Sequence, residues 1–228
     1  MSLADTADQT SLSSRLRARR DVQLRALIAA VHGQKGAVRI IDMGGTPEYW
    51  QRVGLDFLRA NNAHVTITNL HATELDRGSR NEDLFSFAVG NACDLHDFPD
   101  NSFDIAHSNS VIEHVLTWTN MKNFARETRR LAPWHYVQTP YFWFPVDPHF
   151  YRLPFYHWLP RPMRAKLLMR LPLAHVGRIG TLDKAHDIVE GAKLIDRAQM
   201  ELLFPDSRHG FERFYGLPKS MIAILGPS

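Results

Sequence analysis

FSFAVGNACDLHDFPDNSFDIAHSNSVIEHV, residues 85–115, is the stretch of this sequence that decides the fold. It contains two apolar runs, and each ends in small and polar residues. The first run ends at Gly90-Asn91-Ala92-Cys93-Asp94, and the second, around Phe103 and Ile105, ends at His107-Ser108-Asn109-Ser110. Strands that end in such segments, and not in tight hairpin turns, are typical of a parallel sheet with ligand chemistry at the carboxyl ends of its strands.

The flanking sequence continues an alternation of strands and helices. Short β-branched and apolar runs predict strands at 38–42, 64–68, 85–89, 102–106 and 135–138, with helices at 14–31, 48–60 and within 110–131. This alternation implies right-handed parallel crossovers, and therefore an α/β fold. Two further strands, 210–215 and 220–225, are separated by a short turn that suits an antiparallel pair.

Residues 139–162, TPYFWFPVDPHFYRLPFYHWLPRP, interrupt this rhythm. Proline at this density excludes a regular central strand or a long helix, so we predict an aromatic and proline-rich cap insert at about 139–193. Short helices are predicted at 164–170 and 195–203, the second with Asp196 as its N-cap. The predicted organisation is a mobile tail at 1–13 and a single domain at 14–228.

The bulk composition is that of a soluble globular protein. The chain has 228 residues, of which 44% are hydrophobic and 22% charged, and its formal net charge is +3. That charge is too small to indicate nucleic-acid binding by itself. A single cysteine excludes an intrachain disulfide. Neither a secretory signal nor a membrane-spanning run is visible in the sequence, so we expect a cytoplasmic location.

The segments GNACDL and FPDNSFDIAHSNSVIEHV resemble the adenosine-binding and post-strand-4 segments of class I S-adenosylmethionine (SAM) dependent methyltransferases of the small-molecule type 11. The family form is close to GDA-x-DLPFPDNSFD, followed by a polar turn and a histidine. The resemblance is best over residues 38–138. It implies a Rossmann-like seven-stranded sheet of order 3-2-1-4-5-7-6, SAM as cofactor, and methyl transfer to a small-molecule, sugar, glycan or lipid-linked acceptor.

The same resemblance implies where the cofactor binds. The family turn after the first strand is Asp/Glu-x-Gly-x-Gly-x-Gly; this chain matches it at Asp42 and Gly44 and then departs from it. Asn69 stands where an acidic residue usually holds the ribose, and Asn91 where an Asp usually lies near the adenine. The predicted cofactor-binding residues are Asp42, Gly44, Gly45, Thr46, Asn69, Leu70, Asn91, Ala92, Cys93, Asn109 and Ser110.

Two histidines are the candidate catalytic bases. His114 lies just after the post-strand-4 turn, and His149 follows Asp147 in the insert. Imidazole is suited to this role because its ordinary pKa is near 6.5. The alternative for His114 is a structural hydrogen bond. No metal site is predicted, because the histidines and carboxylates around residues 94–107 lack an HxxxH or CxxC framework.

Two other functions remain open from the sequence. The departures at the glycine turn, Asn69 and Asn91 favour a non-catalytic binding or regulatory protein with the same fold. The arginine-rich segment 15–25 suggests a nucleic-acid partner, although we expect such binding to be weak, and a solvated helix face is the simpler interpretation.

Overall fold

A seven-stranded mixed sheet forms the centre of the protein. The computed structural model describes residues 12–72, 81, 83–173 and 177–227, apart from the side chains of 12–20. The strands are β1 (Val38–Met43), β2 (Ala63–Asn69), β3 (Phe85–Val89), β4 (Ile105–Asn109), β5 (Trp134–Pro140), β6 (Arg208–Phe214) and β7 (Leu217–Leu225). Their order is β3-β2-β1-β4-β5-β7-β6. The first five are parallel, and β7 runs antiparallel to both β5 and β6. The predicted order is confirmed.

Helices cover both faces of this sheet. They are α1 (Leu12–Lys35), α2 (Pro47–Val53), α3 (Leu55–Ala60), α4 (Trp118–Leu131), α5 (Arg161–Arg170), α6 (Leu182–Glu190) and α7 (Arg197–Leu203). Side chains alternate across β1, so Ile40 belongs to the core with α1 and α2, whereas Ile41 belongs to the core with α4 and α7. Of the predicted mobile tail, residues 1–11 lie outside the described part of the chain.

The single helix predicted at 48–60 is wrong, because the segment forms α2 and α3 with a break at Gly54. Gly54 has φ +114°, a conformation that side chains rarely permit. Arg25 supports the break by donating a hydrogen bond to the Val53 carbonyl at 2.8 Å. The helix α6 was not predicted at all.

The predicted bounds of β4, 102–106, are also wrong, since the strand runs through the polar residues His107 and Ser108. Both side chains are fully buried and both have partners. The Nδ1 of His107 lies 2.7 Å from Oδ1 of Asp42, and the Ser108 hydroxyl donates to the Met43 carbonyl. These contacts satisfy the Ser108 hydroxyl and one nitrogen of His107, whereas Nε2 of His107 is buried without a hydrogen-bond partner in the described ranges.

The insert leaves the sheet after Pro140 and returns before α7. Thr139 and Pro140 therefore belong to β5, and not to the cap as predicted. Within the insert, Phe150, Tyr156, Leu168 and Val189 are part of a separate small core. The two ends of the insert meet, because the Phe142 amide donates to the Ile195 carbonyl at 3.0 Å. Beyond it, Asp196 caps α7 in a capping box, as predicted.

No helix in the described ranges combines the length and the apolar composition that crossing a bilayer requires.

Candidate active site

The turn after β1 is packed closely by the protein's own side chains. Gly44 has φ +84°, and a Cβ there would lie 2.7 Å from Cγ1 of Val111, which follows β4. At Gly45 a Cβ would lie 1.6 Å from Oδ2 of Asp42. Both glycines are therefore needed for the turn to close over its neighbours.

Asp42 lies beneath this turn, where it does not reach the surface. It is fully buried. Its Oδ2 accepts a 2.7 Å hydrogen bond from Nε1 of Trp50, and its Oδ1 lies 2.7 Å from Nδ1 of His107. The prediction put Asp42 in the cofactor site, but its position in the structure is that of a residue that holds the turn from below. Thr46 begins α2 in an extended conformation without a side-chain capping bond.

The end of β2 presents one apolar and one amide side chain. Leu70 is 60% exposed at the strand end. Asn69 holds the glycine turn, because its Nδ2 lies 3.4 Å from the Gly45 carbonyl oxygen. The Oδ1 of Asn69 accepts a 2.9 Å hydrogen bond from the Leu70 amide. A ribose would therefore compete with the backbone for this oxygen.

The segment after β3 forms a turn of similar character. Oδ1 of Asn91 accepts from the Cys93 amide at 3.0 Å, and Ala92 is half-buried beside the core. The Cys93 thiol is buried and donates to the Asn120 carbonyl. Burial raises the pKa of Cys93 to about 11, so the thiol stays protonated at neutral pH and is not a nucleophile.

The end of β4 carries an acceptor with no partner. Oδ1 of Asn109 is buried and has no hydrogen-bond partner in the described parts of the chain. Next to it, Ser110 has φ +58°, and its hydroxyl donates to Oε1 of Gln138 at 3.1 Å. This edge thus offers an unused oxygen beside the Gly44 turn, since β4 is the neighbour of β1 in the sheet.

The two predicted catalytic histidines meet here, although they are 35 positions apart in the chain. His114 belongs to a one-turn 3-10 helix after β4, and His149 to a similar turn in the insert. Their Nε2 atoms lie 3.1 Å apart. Nδ1 of His149 lies 2.7 Å from Oδ1 of Asp147, and Nδ1 of His114 lies 2.9 Å from the Gly191 carbonyl oxygen.

These contacts fix which nitrogen of each ring carries hydrogen. A carboxylate and a carbonyl oxygen are acceptors, so both Nδ1 atoms must donate. In the neutral tautomers both Nε2 atoms then carry lone pairs that face each other. A separation of 3.1 Å therefore requires positive charge between His114 and His149, supplied by a shared proton or by another cation.

Glu113 is the third polar group of this cluster. It is fully buried, and its Oε2 accepts from the Thr139 hydroxyl at 2.9 Å, while Oε1 has no partner among the described residues. Burial raises the pKa of Glu113 to about 7. Burial likewise lowers the pKa of His114. Burial also acts to lower the pKa of His149, but the hydrogen bond and charge of Asp147 outweigh it, and the net direction is upward.

A pocket of about 270 Å³ lies between the insert and the helices α4 and α7. Its walls include Trp118 and Phe142, which are apolar, and the basic residues Arg164 and Lys193. The Nε atom of Arg164 is buried without a partner in the described ranges. Asp147 belongs both to the pocket wall and to the contact with His149, so the pocket and the histidine pair adjoin.

Comparison with known proteins agrees with this architecture. Residues 50–133 match the model of the methyltransferase domain family of type 11. The magnesium protoporphyrin IX methyltransferase of Synechocystis PCC 6803, solved with bound SAM, is 9% identical with a TM-score of 0.51, covering 93% of this chain and 81% of that one. A candidate exported protein of Bordetella parapertussis is 12% identical with a TM-score of 0.58, covering 94% and 68%.

A candidate sarcosine dimethylglycine methyltransferase of Galdieria sulphuraria aligns over 56% of this chain at 12% identity and a TM-score of 0.41. The chain spans less than half of that protein, 46% of its length. No curated protein sequence matches.

The sheet order, with helices on both faces, is that of the Rossmann-like methyltransferase fold. Residues 50–133 thus match a methyltransferase domain model, and the sheet has the strand order that the resemblance to class I SAM-dependent methyltransferases predicted.

Sequence analysis named His114 and His149 but missed the contact between them. The sequence also carries no sign that the Gly191 carbonyl orients His114, or that the Glu113 carboxylate lies in the same cluster. No local pattern signals these relations, because the partners come from the strand end, the insert and the segment before α7.

Proposed function

We propose that this protein transfers a methyl group from SAM to a small-molecule, glycan or lipid-linked acceptor. The observation that carries the proposal is the pair of oriented imidazoles, His114 and His149, in a methyltransferase fold beside the carboxyl end of β4. One imidazole comes from the segment after β4 and one from the insert, so the reacting atom would lie where these two segments meet.

The strand ends fit the cofactor in part. The unpartnered Oδ1 of Asn109 offers a buried acceptor where the family places the methionine end, and it suits a cationic group. The exposed Leu70 offers an apolar surface at the end of β2. Residues that would hold the cofactor are the backbone of Gly44, Gly45 and Thr46, the side chains of Asn69, Leu70, Asn109 and Ser110, and the turn of Asn91, Ala92 and Cys93. Bound SAM would supply an electrophilic methyl group on a sulfonium sulfur.

The chain's own residues position the acceptor and remove its proton. Asp147 holds His149, and the Gly191 carbonyl holds His114, so both rings are oriented before an acceptor binds. Preorganised groups of this kind contribute by alignment and by proton transfer. An acceptor hydroxyl or amine would lose its proton to the Nε2 edge of this pair.

The body of the acceptor would occupy the pocket beside Asp147. Trp118 and Phe142 would exclude water from it, while Arg164 and Lys193 would contact an acidic group. We therefore propose an acceptor that carries a carboxylate or a phosphate next to an apolar portion.

One observation favours the alternative of a non-catalytic member of the family. The oxygens of Asn69 and Asn91 already accept hydrogen bonds from the backbone, and Asp42 is sealed under the turn. A chain of this kind would retain the fold while binding the cofactor weakly or not at all.

Calorimetry with S-adenosylhomocysteine (SAH) separates the two. We expect the wild type to bind SAH and Gly44→Ala to lose at least about tenfold in affinity, because a side chain at φ +84° would displace Val111. Gly216→Ala is the matched control: its φ is +82° and no atom lies within 4 Å of its Cβ position. Thermal melts of both variants check folding. Absence of SAH binding to the wild type at millimolar ligand would favour the non-catalytic alternative.

Transfer itself is tested with methyl-labelled SAM and separate fractions of acidic metabolites, glycans and lipids. We expect label to appear in one fraction and to fall strongly in His149→Ala. Label transfer that is equal in wild type and His149→Ala would contradict the role given to the histidine pair.

A further inference from the structure

Glu113, His114 and His149 form a cluster whose geometry is that of a metal site. One candidate ligand atom from each residue lies within 4.8 Å of the others. We propose that this cluster binds a divalent transition-metal ion, with the two Nε2 atoms and the Glu113 carboxylate as ligands.

Both imidazoles of the cluster have an unused lone pair. Both Nδ1 atoms donate to oxygen acceptors, so both Nε2 atoms point lone pairs at the same space. Two ligands at about 2.1 Å from one ion are about 3.0 Å apart at a right angle and about 3.4 Å apart at a tetrahedral angle. The observed separation of 3.1 Å lies between these values.

The carboxylate of Glu113 also favours a bound cation. Glu113 is fully buried, and its Oε1 has no hydrogen-bond partner among the residues described. A buried carboxylate oxygen without a donor is costly, and coordination to a cation relieves that cost. Ligands of a tetrahedral ion are about 3.4 Å apart, so the cluster, whose ligand atoms lie within 4.8 Å of one another, closes by about 1 Å or more when it takes up the ion.

The groups that contact the far side of each imidazole are also those found around metal-bound histidines. Metal-bound histidines nearly always donate their second N–H to a carboxylate or a backbone carbonyl, which fixes the tautomer and the ring orientation. His149 donates to Asp147 and His114 donates to the Gly191 carbonyl, so both arrangements are already present.

The donor set selects the kind of ion. Two imidazoles and one carboxylate suit Zn²⁺, Fe²⁺ or another first-row divalent ion, whereas Mg²⁺ and Ca²⁺ prefer oxygen ligands. His114 is exposed at the rim, so positions remain open for water or for an acceptor. In the context of the proposed function, the ion would bind an acceptor hydroxyl and lower the pKa of that hydroxyl. The hydroxyl proton would pass to solvent at the exposed rim, and the histidines would act as ligands in the loaded protein.

The test is a zinc titration of the full chain after treatment with a chelator, followed by calorimetry or by competition with a chromophoric chelator. We expect one Zn²⁺ per chain. His114→Ala and His149→Ala should each weaken binding by roughly tenfold or more, and Asp147→Asn by about 10- to 100-fold through the loss of its hold on His149. Substitution of Co²⁺ should give a visible spectrum that these variants lose.

His96→Ala is the matched control. His96 is an exposed imidazole between Asp94 and Asp97, which is the most evident adventitious site on the described surface. We expect this variant to bind zinc like the wild type. Because His114 is at the rim, His114→Ala is the variant least exposed to folding defects, and thermal melts check each protein.

Two results would overturn the proposal: no saturable zinc binding, or zinc binding that His114→Ala and His149→Ala leave unchanged. A loss in His96→Ala equal to that in His114→Ala would assign the ion to the surface instead. The titration contains neither SAM nor acceptor, so its outcome is separate from that of the SAH experiment.

Discussion

Two aspartate–histidine pairs in this protein have the same contact distance and different surroundings. Oδ1 of Asp42 lies 2.7 Å from Nδ1 of His107, and Oδ1 of Asp147 lies 2.7 Å from Nδ1 of His149. His107 is sealed in the sheet, whereas the side chain of His149 is 25% exposed and its Nε2 faces a second imidazole. The same pair serves packing in one place and can serve chemistry in the other, so the surroundings, and not the pair, indicate function.

The largest expected effect is a difference in the free energy of unfolding between variants of the two pairs. Asp42→Ala should lower the free energy of unfolding by about 3–5 kcal/mol, because it leaves the N–H groups of Trp50 and His107 without an acceptor in a dry interior. Asp147→Ala should cost only about 1–2 kcal/mol, since water can reach the rim of His149. Urea denaturation measures both.

Asp94→Ala is the control for this experiment, because the side chain of Asp94 is 67% exposed. We expect it to change stability by less than about 0.5 kcal/mol. Equal losses in Asp42→Ala and Asp147→Ala would break the comparison between a structural and a functional pair.

A third histidine, His135, extends the comparison to the pH dependence of stability. His135 is buried like His107, but its Nε2 lies 2.6 Å from the Ser207 hydroxyl and not from a carboxylate. Burial lowers the pKa of His135 from 6.5 to about 4. Between these values the unfolded chain takes up a proton and the folded chain does not. The contribution of His135 to stability is thus complete above pH 6.5 and is lost as the pH falls towards 4, by up to about 3 kcal/mol.

The measurement is urea denaturation of wild type and His135→Gln at several pH values. The variant should lose less stability than the wild type between pH 6.5 and 4. The difference between the two proteins is the quantity to follow, because the raised pKa of Glu113 acts in the opposite direction in both. Parallel curves would show that His135 is not held in its neutral form.

The smallest expected effect concerns Asn69 at the end of β2, whose side-chain oxygen already accepts a hydrogen bond from the backbone. Asn69→Asp supplies the carboxylate that the family uses for the ribose, at the cost of the long 3.4 Å contact with Gly45. We expect SAH binding to tighten by roughly fivefold, about 1 kcal/mol, through a charge-assisted hydrogen bond.

Asn101→Asp is the control, because it makes the same change of charge at the amino end of β4, away from the carboxyl ends of the strands. It should leave SAH binding unchanged. Weaker binding in Asn69→Asp would mean that Asn69 serves only to hold the turn.

The elements that rest on local patterns could be predicted from the sequence. Strand β3 was predicted with its observed bounds, and the cap of α7 at Asp196 was predicted from residue type. The break at Gly54 was missed because its support, Arg25, comes from a distant helix. The bounds of β4 were wrong because burial of His107 depends on Asp42, 65 positions away.

The two histidines of the candidate site could be predicted from the sequence, but the contact between them could not. His114 and His149 were named from their places after β4 and in the insert. Their meeting depends on how the insert folds back, which the proline-rich pattern limits without determining. Glu113 acquires its properties from complete burial, which is a product of tertiary packing.

The contact between the two ends of the insert has a consequence for how proteins of this fold diversify. Because Phe142 and Ile195 are joined by a hydrogen bond, the whole excursion between them can be lengthened or exchanged without moving β5 or α7. Such an exchange would replace the pocket wall and His149 together. Choice of acceptor and one of the two histidines would then be inherited as one unit, while the strand ends proposed to bind the cofactor stay with the sheet.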